Sequence, residues 1–153
     1  MPFAVADRLT VADLTFPEQL VLWALRHWRE EETDWTKVER EFGRACGPAA
    51  ARIALDALTE MLRAMEAGAC RSMQCHKLCC SGVSPDEQAV LALLAAGQAD
   101  DGVGARRVAL SMAPPCQCAK LLELAAIAGA AMDLGVGPLP ARYAMRRQGE
   151  TVH

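Results

Sequence analysis

The chain has 153 residues, of which 52% are hydrophobic and 5% aromatic, and its formal net charge is −3. This length fits one domain that buries a core without disulfide staples. Binding to nucleic-acid phosphates needs a surplus of Lys and Arg, so the acidic balance disfavours a nucleic-acid partner. Because abundant Ala and Leu favour helices over strands, the predicted fold class is all-α: an irregular bundle of five to six helices in a single domain.

The sequence also predicts a cellular location. No apolar stretch approaches the roughly 20 residues that cross a bilayer, so we expect no membrane partner. The first ten residues include Asp7 and Arg8 and lack the basic-then-apolar order of a secretory signal. A cytoplasmic location is the expectation. In that compartment seven cysteines, an odd number, favour free thiols, a metal site or redox chemistry over a disulfide framework.

The N-terminal region predicts an arm followed by a helix. Residues 1–14 are expected to form a loosely attached arm. Thr15 or Phe16 caps the first helix, and Pro17 occupies its first turn. Apolar residues then recur at helical spacing as far as Trp28, with His27 expected on the helix surface.

Two further helices are predicted before the cysteines. Asp34 caps a short helix that ends at Gly43. A longer helix runs from about Pro48 to Met65 and stops at Gly68. A helix-turn-helix DNA-binding interpretation of residues 34–66 is disfavoured because the longer helix is acidic on balance.

The C-terminal half predicts three more helices. Ser84-Pro85-Asp86-Glu87 combines a Ser cap, Pro at the first position and Glu three residues after the cap, and the helix that follows is almost entirely apolar and hence buried. Residues 98–104 are expected to form a turn-rich loop, and residues 106–112 a short helix. The last long helix runs from about Pro115 to Leu134. The helical domain spans residues 15–140, and residues 141–153 form a basic tail.

The cysteine-rich segment, residues 70–82, separates the third and fourth helices. It contains Cys70, Cys75, Cys79 and Cys80 together with His76, and the stretch from Cys70 to Cys80 has two basic residues and no acidic one. Local positive charge favours the thiolate, which is the form that binds metal or attacks. The sequence leaves the secondary structure of this segment open.

A second group, Cys116 and Cys118, lies where the last helix is predicted to begin, an end that stabilises negative charge. Cys75 and Cys79, if helical, share one face. We therefore predict a site for zinc or a small iron–sulfur cluster, built from two cysteine pairs, although a chain without any cofactor is the alternative. The predicted ligands are Cys75, Cys79, Cys116 and Cys118, with Cys70, His76 and Cys80 as spare candidates.

A C-x-C pair combined with a distant second pair is similar to the arrangement in bacterioferritin-associated ferredoxins, which hold a [2Fe–2S] cluster. The order of the pairs is reversed here and the spacing of the second pair differs. The resemblance therefore assigns no role to any residue of this chain.

Two other functions remain open. The chain fits a protein–protein adaptor or regulatory module that pairs its apolar helix faces with a partner or with a second copy, its cysteines being free. It also fits a thiol-based redox switch in which Cys79 and Cys80, or Cys116 and Cys118, oxidise reversibly. An enzymatic role is disfavoured: adjacent Cys75 and His76 would diverge on a helix and have no third group to orient them.

Overall fold

The hydrophobic pattern and the helix caps together produce six α-helices in a computed structural model that describes residues 9–30, 34–68 and 73–142. In chain order the helices are α1 (Phe16–Arg29), α2 (Trp35–Cys46), α3 (Pro48–Gly68), α4 (Pro85–Gln98), α5 (Gly102–Met112) and α6 (Pro115–Val136). The described residues contain no β-strand, and one continuous core joins all six helices. The predicted all-α bundle in a single domain is confirmed. No helix within these residues is both long and apolar enough to span a bilayer.

Capping boxes set the starts of α1 and α4, as their sequences predict. Thr15, and not Phe16, is the cap of α1, and its backbone N–H donates to Glu18 Oε1 at 2.9 Å. Ser84 caps α4 in the same way, its N–H donating to Glu87 Oε1 at 2.9 Å. Each box satisfies N–H groups that the first turn of a helix leaves without intrahelical partners.

α4 is central, as its apolar sequence predicts: its residues from Glu87 to Ala96 are all buried. α6 packs along both α3 and α4. Two glycines permit close approach of α6 to its neighbours. A Cβ on Gly97 of α4 would lie 2.7 Å from the backbone of Ala125 in α6, and one on Gly135 of α6 would overlap Cα of Cys46 in α2.

Three boundary predictions are wrong. α2 continues past Gly43 to Cys46, because the chain turns instead at Gly47, whose φ of +85° favours glycine. α5 begins at Gly102, within the predicted loop, because Asp101 caps it by accepting a hydrogen bond from Gly104 N–H at 2.9 Å. α6 extends to Val136 and gives way to Gly137 at φ +92°.

His27 is buried, contrary to the surface position expected of it. Its ring packs edge-on against Trp23, with the ring centroids 4.6 Å apart. Burial is the first cause that lowers the pKa of His27, and the nearby charge of Lys37 is the second.

The described parts of the predicted arm and tail contact the helices. Leu14 is buried, and Thr10 pairs with Gly82 in an isolated antiparallel bridge. At the other end, Arg142 donates to Glu18 Oε2 at 2.8 Å and to Asp13 O at 3.1 Å. Residues 1–8 of the arm and 143–153 of the tail lie outside the described residues.

The contact at Gly97 gives a stability prediction. Gly97→Ala should lower the free energy of unfolding by about 1–3 kcal/mol, because the methyl group would overlap the backbone of α6. The control is Gly43→Ala, since a Cβ at this helical position meets nothing within 4 Å. Gly43→Ala should raise the free energy of unfolding by about 0.5–1 kcal/mol. Urea unfolding monitored by circular dichroism measures both, and equal effects would contradict the predicted contact.

Candidate functional site

A buried ion pair anchors the cysteine-rich segment. Arg26 of α1 donates to Glu87 of α4 through Nε to Oε2 at 2.8 Å and through Nη2 to Oε1 at 3.2 Å. Their side chains are 3% and 0% exposed. A two-point contact of this kind fixes orientation as well as distance, since the guanidinium fork matches the carboxylate.

The same guanidinium also holds the backbone of the segment. Arg26 Nη1 donates to Cys80 O at 2.8 Å, and Nη2 donates to Gly82 O at 2.7 Å. Arg26 therefore places its donors on one carboxylate and two carbonyls, which compensates for burying a cation.

The start of α4 secures the other side of the segment. Glu87 Oε2 accepts a hydrogen bond from His76 N–H at 3.2 Å. Ser84 Oγ donates to Gln74 O at 2.6 Å, and Gln74 N–H donates to Asp86 Oδ2 at 2.6 Å. Asp86 and Glu87, the acidic side chains in the first turn of α4, thus both bind the backbone of the cysteine-rich segment.

The N-terminal residues complete this frame. Val11 N–H donates to Ser81 O at 2.8 Å, and Val83 N–H donates to Leu9 O at 3.0 Å. From residue 73 onward the segment is irregular chain with one turn and contains no helix. Cys75 and Cys79 therefore do not share a helix face.

Its cysteines differ sharply in accessibility. Cys79 is exposed and Cys80 half-buried in the turn that Cys80 N–H closes on Lys77 O at 3.0 Å. Cys75 lies deeper: burial and then the charge of Glu87 raise the pKa of its thiol to about 12. Cys75 is thus mostly protonated at neutral pH, which disfavours attack or metal binding in this conformation.

The second cysteine group is placed as predicted, at the start of α6. Pro114 is the cap and Pro115 the first helical residue. Cys116 is exposed, whereas Cys118 is fully buried and its Sγ donates to Pro114 O at 3.7 Å.

Residues next in sequence to the two cysteine groups line a common cavity. Met73, two residues before Cys75, and Pro115, directly before Cys116, line one cavity of about 380 Å³. The four predicted ligands nevertheless do not form a ready metal site: within the described ranges, no three His, Cys, Asp or Glu side chains are grouped to hold a metal ion. Metal binding stays a prediction.

The spare ligands are separated in a similar way. His76 is exposed, and its described contact is the one from its backbone to Glu87. Cys80 is half-buried in the turn. Cys70 lies outside the described residues.

An open groove between α1, α2 and the turn of the cysteine segment was not predicted from the sequence. Its volume is about 670 Å³, within the range of ligand-binding clefts. Phe16 and Leu78, which are 59% and 41% exposed, lie on its wall. The remaining lining residues are Val11, Gln19, Leu20, Leu22, Trp23, Arg26, Lys37, Glu41, Arg44 and Ala45.

Charge at the groove is positive, although the chain as a whole is acidic. Lys37 and Arg44 lie along it, while Arg26 is committed to Glu87. Arg44 pairs with Glu41 at 2.9 Å on the exposed face of α2, and such a surface pair remains open to other partners.

The chain matches no protein-family model, and no curated protein or solved structure is significantly similar to it.

The buried pair gives the second prediction. Glu87→Gln should lower the free energy of unfolding by about 3–5 kcal/mol, because it leaves the Arg26 charge buried without a counter-charge. The same change should speed amide hydrogen exchange across residues 76–83. Arg44→Ala, which breaks an exposed pair, is the control and should change stability by less than about 1 kcal/mol. Unchanged exchange in Glu87→Gln would contradict the anchoring role of the pair.

Proposed function

We propose that this protein is a helical protein-binding module whose groove receives an acidic, amphipathic helix of a partner. The observation that carries the proposal is that two large exposed apolar side chains, Phe16 and Leu78, line one groove of about 670 Å³. An amphipathic helix fills such a groove with apolar residues that recur every three or four positions.

Charge argues for an acidic partner. Beyond the committed Arg26, Lys37 and Arg44 exceed the single carboxylate of the groove lining, Glu41, by one positive charge. Carboxylates flanking the apolar face of an incoming helix would therefore be attracted. Complementary charge at an interface speeds association and rejects partners of the wrong sign.

Rigidity argues for binding without large rearrangement. Leu78 projects from a turn whose following residues are held by Arg26, and Arg26 itself lines the groove. A preformed wall lowers the entropy cost of binding. All six described cysteines are free thiols, which fits the cytoplasmic location that we propose.

A synthetic helix tests this function. A fluorescein-labelled amphipathic peptide of Leu, Ala and Glu should bind at least tenfold more tightly than the same peptide with Lys at every Glu position. Fluorescence anisotropy measures both dissociation constants. Lys37→Glu should reverse the preference, since it inverts the charge of the groove lining.

Two matched surface variants test the place of binding. Phe16→Asp should raise the dissociation constant of the Glu peptide about tenfold or more, because one desolvated aromatic contact is lost. Val103→Asp alters an equally exposed residue of α5 outside the groove and should leave binding unchanged. Equal affinities for the two peptides, or equal effects of the two variants, would overturn the proposal. Light scattering tests a second copy as the occupant, and dimerisation abolished by Phe16→Asp would count against a separate partner.

A second candidate is binding of zinc or an iron–sulfur cluster through Cys75, Cys79, Cys116 and Cys118. It is favoured by a cavity whose lining includes Met73, two residues before Cys75, and Pro115, directly before Cys116. A metal binds deprotonated thiols, so Cys75, whose pKa burial raises to about 12, must lose its proton, and Cys118 must leave its buried position.

Metal analysis tests this candidate. Untagged protein should contain about one zinc ion or an iron–sulfur chromophore per chain, lost in Cys116→Ser. The control is Cys46→Ser, which changes a cysteine outside both groups. Metal-free protein with all thiols titrating freely, or equal metal loss in both variants, would contradict the site.

A further inference from the structure

We propose that oxidation of neighbouring Cys79 and Cys80 by a peroxide to a disulfide deforms the groove and lowers its affinity for the partner helix. This regulation rests on the proposed groove function, because it acts on the wall of the same groove. Its starting point is that the exposed Cys79, the half-buried Cys80 and the groove residue Leu78 belong to one turn.

The turn couples the thiols to the groove. It runs from Lys77 to Cys80, so Leu78 and Cys79 are its two central residues. Leu78 lines the groove, while Cys79 is exposed and Cys80 half-buried. Any change in the backbone at the Cys79–Cys80 peptide therefore reaches Leu78 through a single intervening residue, Cys79.

Covalent geometry makes a disulfide between neighbours incompatible with a relaxed turn. Adjacent Cα atoms are about 3.8 Å apart across a trans peptide, whereas bridged cysteines usually have Cα atoms about 4.4–6.8 Å apart. The peptide must distort to close the ring. The resulting strain makes the disulfide easily reduced, which suits a reversible switch.

The anchoring of the segment directs the distortion. Arg26 donates to Cys80 O at 2.8 Å and to Gly82 O at 2.7 Å, and its buried guanidinium keeps both hydrogen bonds away from water. No described hydrogen bond joins the backbone of Leu78 or Cys79 to the helices. The less restrained side of the turn, which carries Leu78, therefore moves.

The chemistry balances with peroxide as the oxidant. The thiolate of Cys79, the more exposed thiol, attacks one peroxide oxygen, the O–O bond breaks, and a sulfenic acid and water result after protonation. The thiol of Cys80 then attacks the sulfenic sulfur, forming the S–S bond and releasing a second water. Two thiols are oxidised and one hydrogen peroxide is reduced to two waters.

The experiment compares reduced and peroxide-treated protein, with the Glu peptide described above as the probe. Hydrogen peroxide should raise the peptide dissociation constant at least fivefold, and dithiothreitol should restore it. Mass spectrometry should find the loss of two hydrogen atoms within the peptide that contains Cys79 and Cys80. Cys80→Ser should bind like reduced wild type and ignore peroxide, whereas Cys116→Ser, which changes an exposed thiol of the other group, should respond like wild type.

The outcomes separate the two proposals. Failure of the reduced protein to prefer the Glu peptide overturns the groove function. Normal binding that ignores peroxide, or a response that persists in Cys80→Ser, overturns only the switch. The coupling between the thiols and the groove can also be measured without any peptide. In a Trp28→Phe/Trp35→Phe variant, which keeps Trp23 of the groove as its one tryptophan, the fluorescence emission of Trp23 should change on oxidation. A disulfide that forms with no change in Trp23 emission would contradict the deformation.

Discussion

The buried pair of Arg26 and Glu87 links three parts of the chain that local sequence leaves independent. An isolated buried charge is costly, so each partner requires the other together with further hydrogen bonds. Glu87 meets this requirement by serving at once as the capping-box acid of α4, the counter-charge of Arg26 and the acceptor for His76 N–H. A loop without helix or strand thereby acquires a fixed path.

That path gives the thiols of the segment different exposures. Cys75 is half-buried beside Glu87, Cys80 is half-buried in the turn, and Cys79 is exposed. At the start of α6 the two cysteines also differ in exposure, since Cys116 is exposed and Cys118 lies in the core. Cysteine packs as a small hydrophobe when buried and reacts when exposed, so a count of cysteines conflates two roles. The exposed members are the ones available to chemistry.

The helices were predictable because their signals are local. Thr15, Ser84 and Pro115 each mark a helix start within a few residues, and the apolar run of α4 reveals its burial. The path of the cysteine segment was not predictable, since it depends on Arg26 meeting Glu87, 61 residues away. The groove escaped prediction for the same reason: Phe16 and Leu78 become neighbours of one cleft only after the fold is complete. Hydrophobic periodicity identifies the apolar face of a helix, but it does not show which elements will enclose a groove.

The bond between Arg142 and Glu18 holds the two ends of the described chain together. It joins residues 124 positions apart and so closes nearly all of the described chain into one loop. The entropy of closing a loop grows only slowly with its length, so the large separation in sequence adds little to the cost of this contact. Because Glu18 is buried in α1, beside the groove-lining Phe16 and Gln19, the bond connects the C-terminal end of the described chain to the wall of the groove.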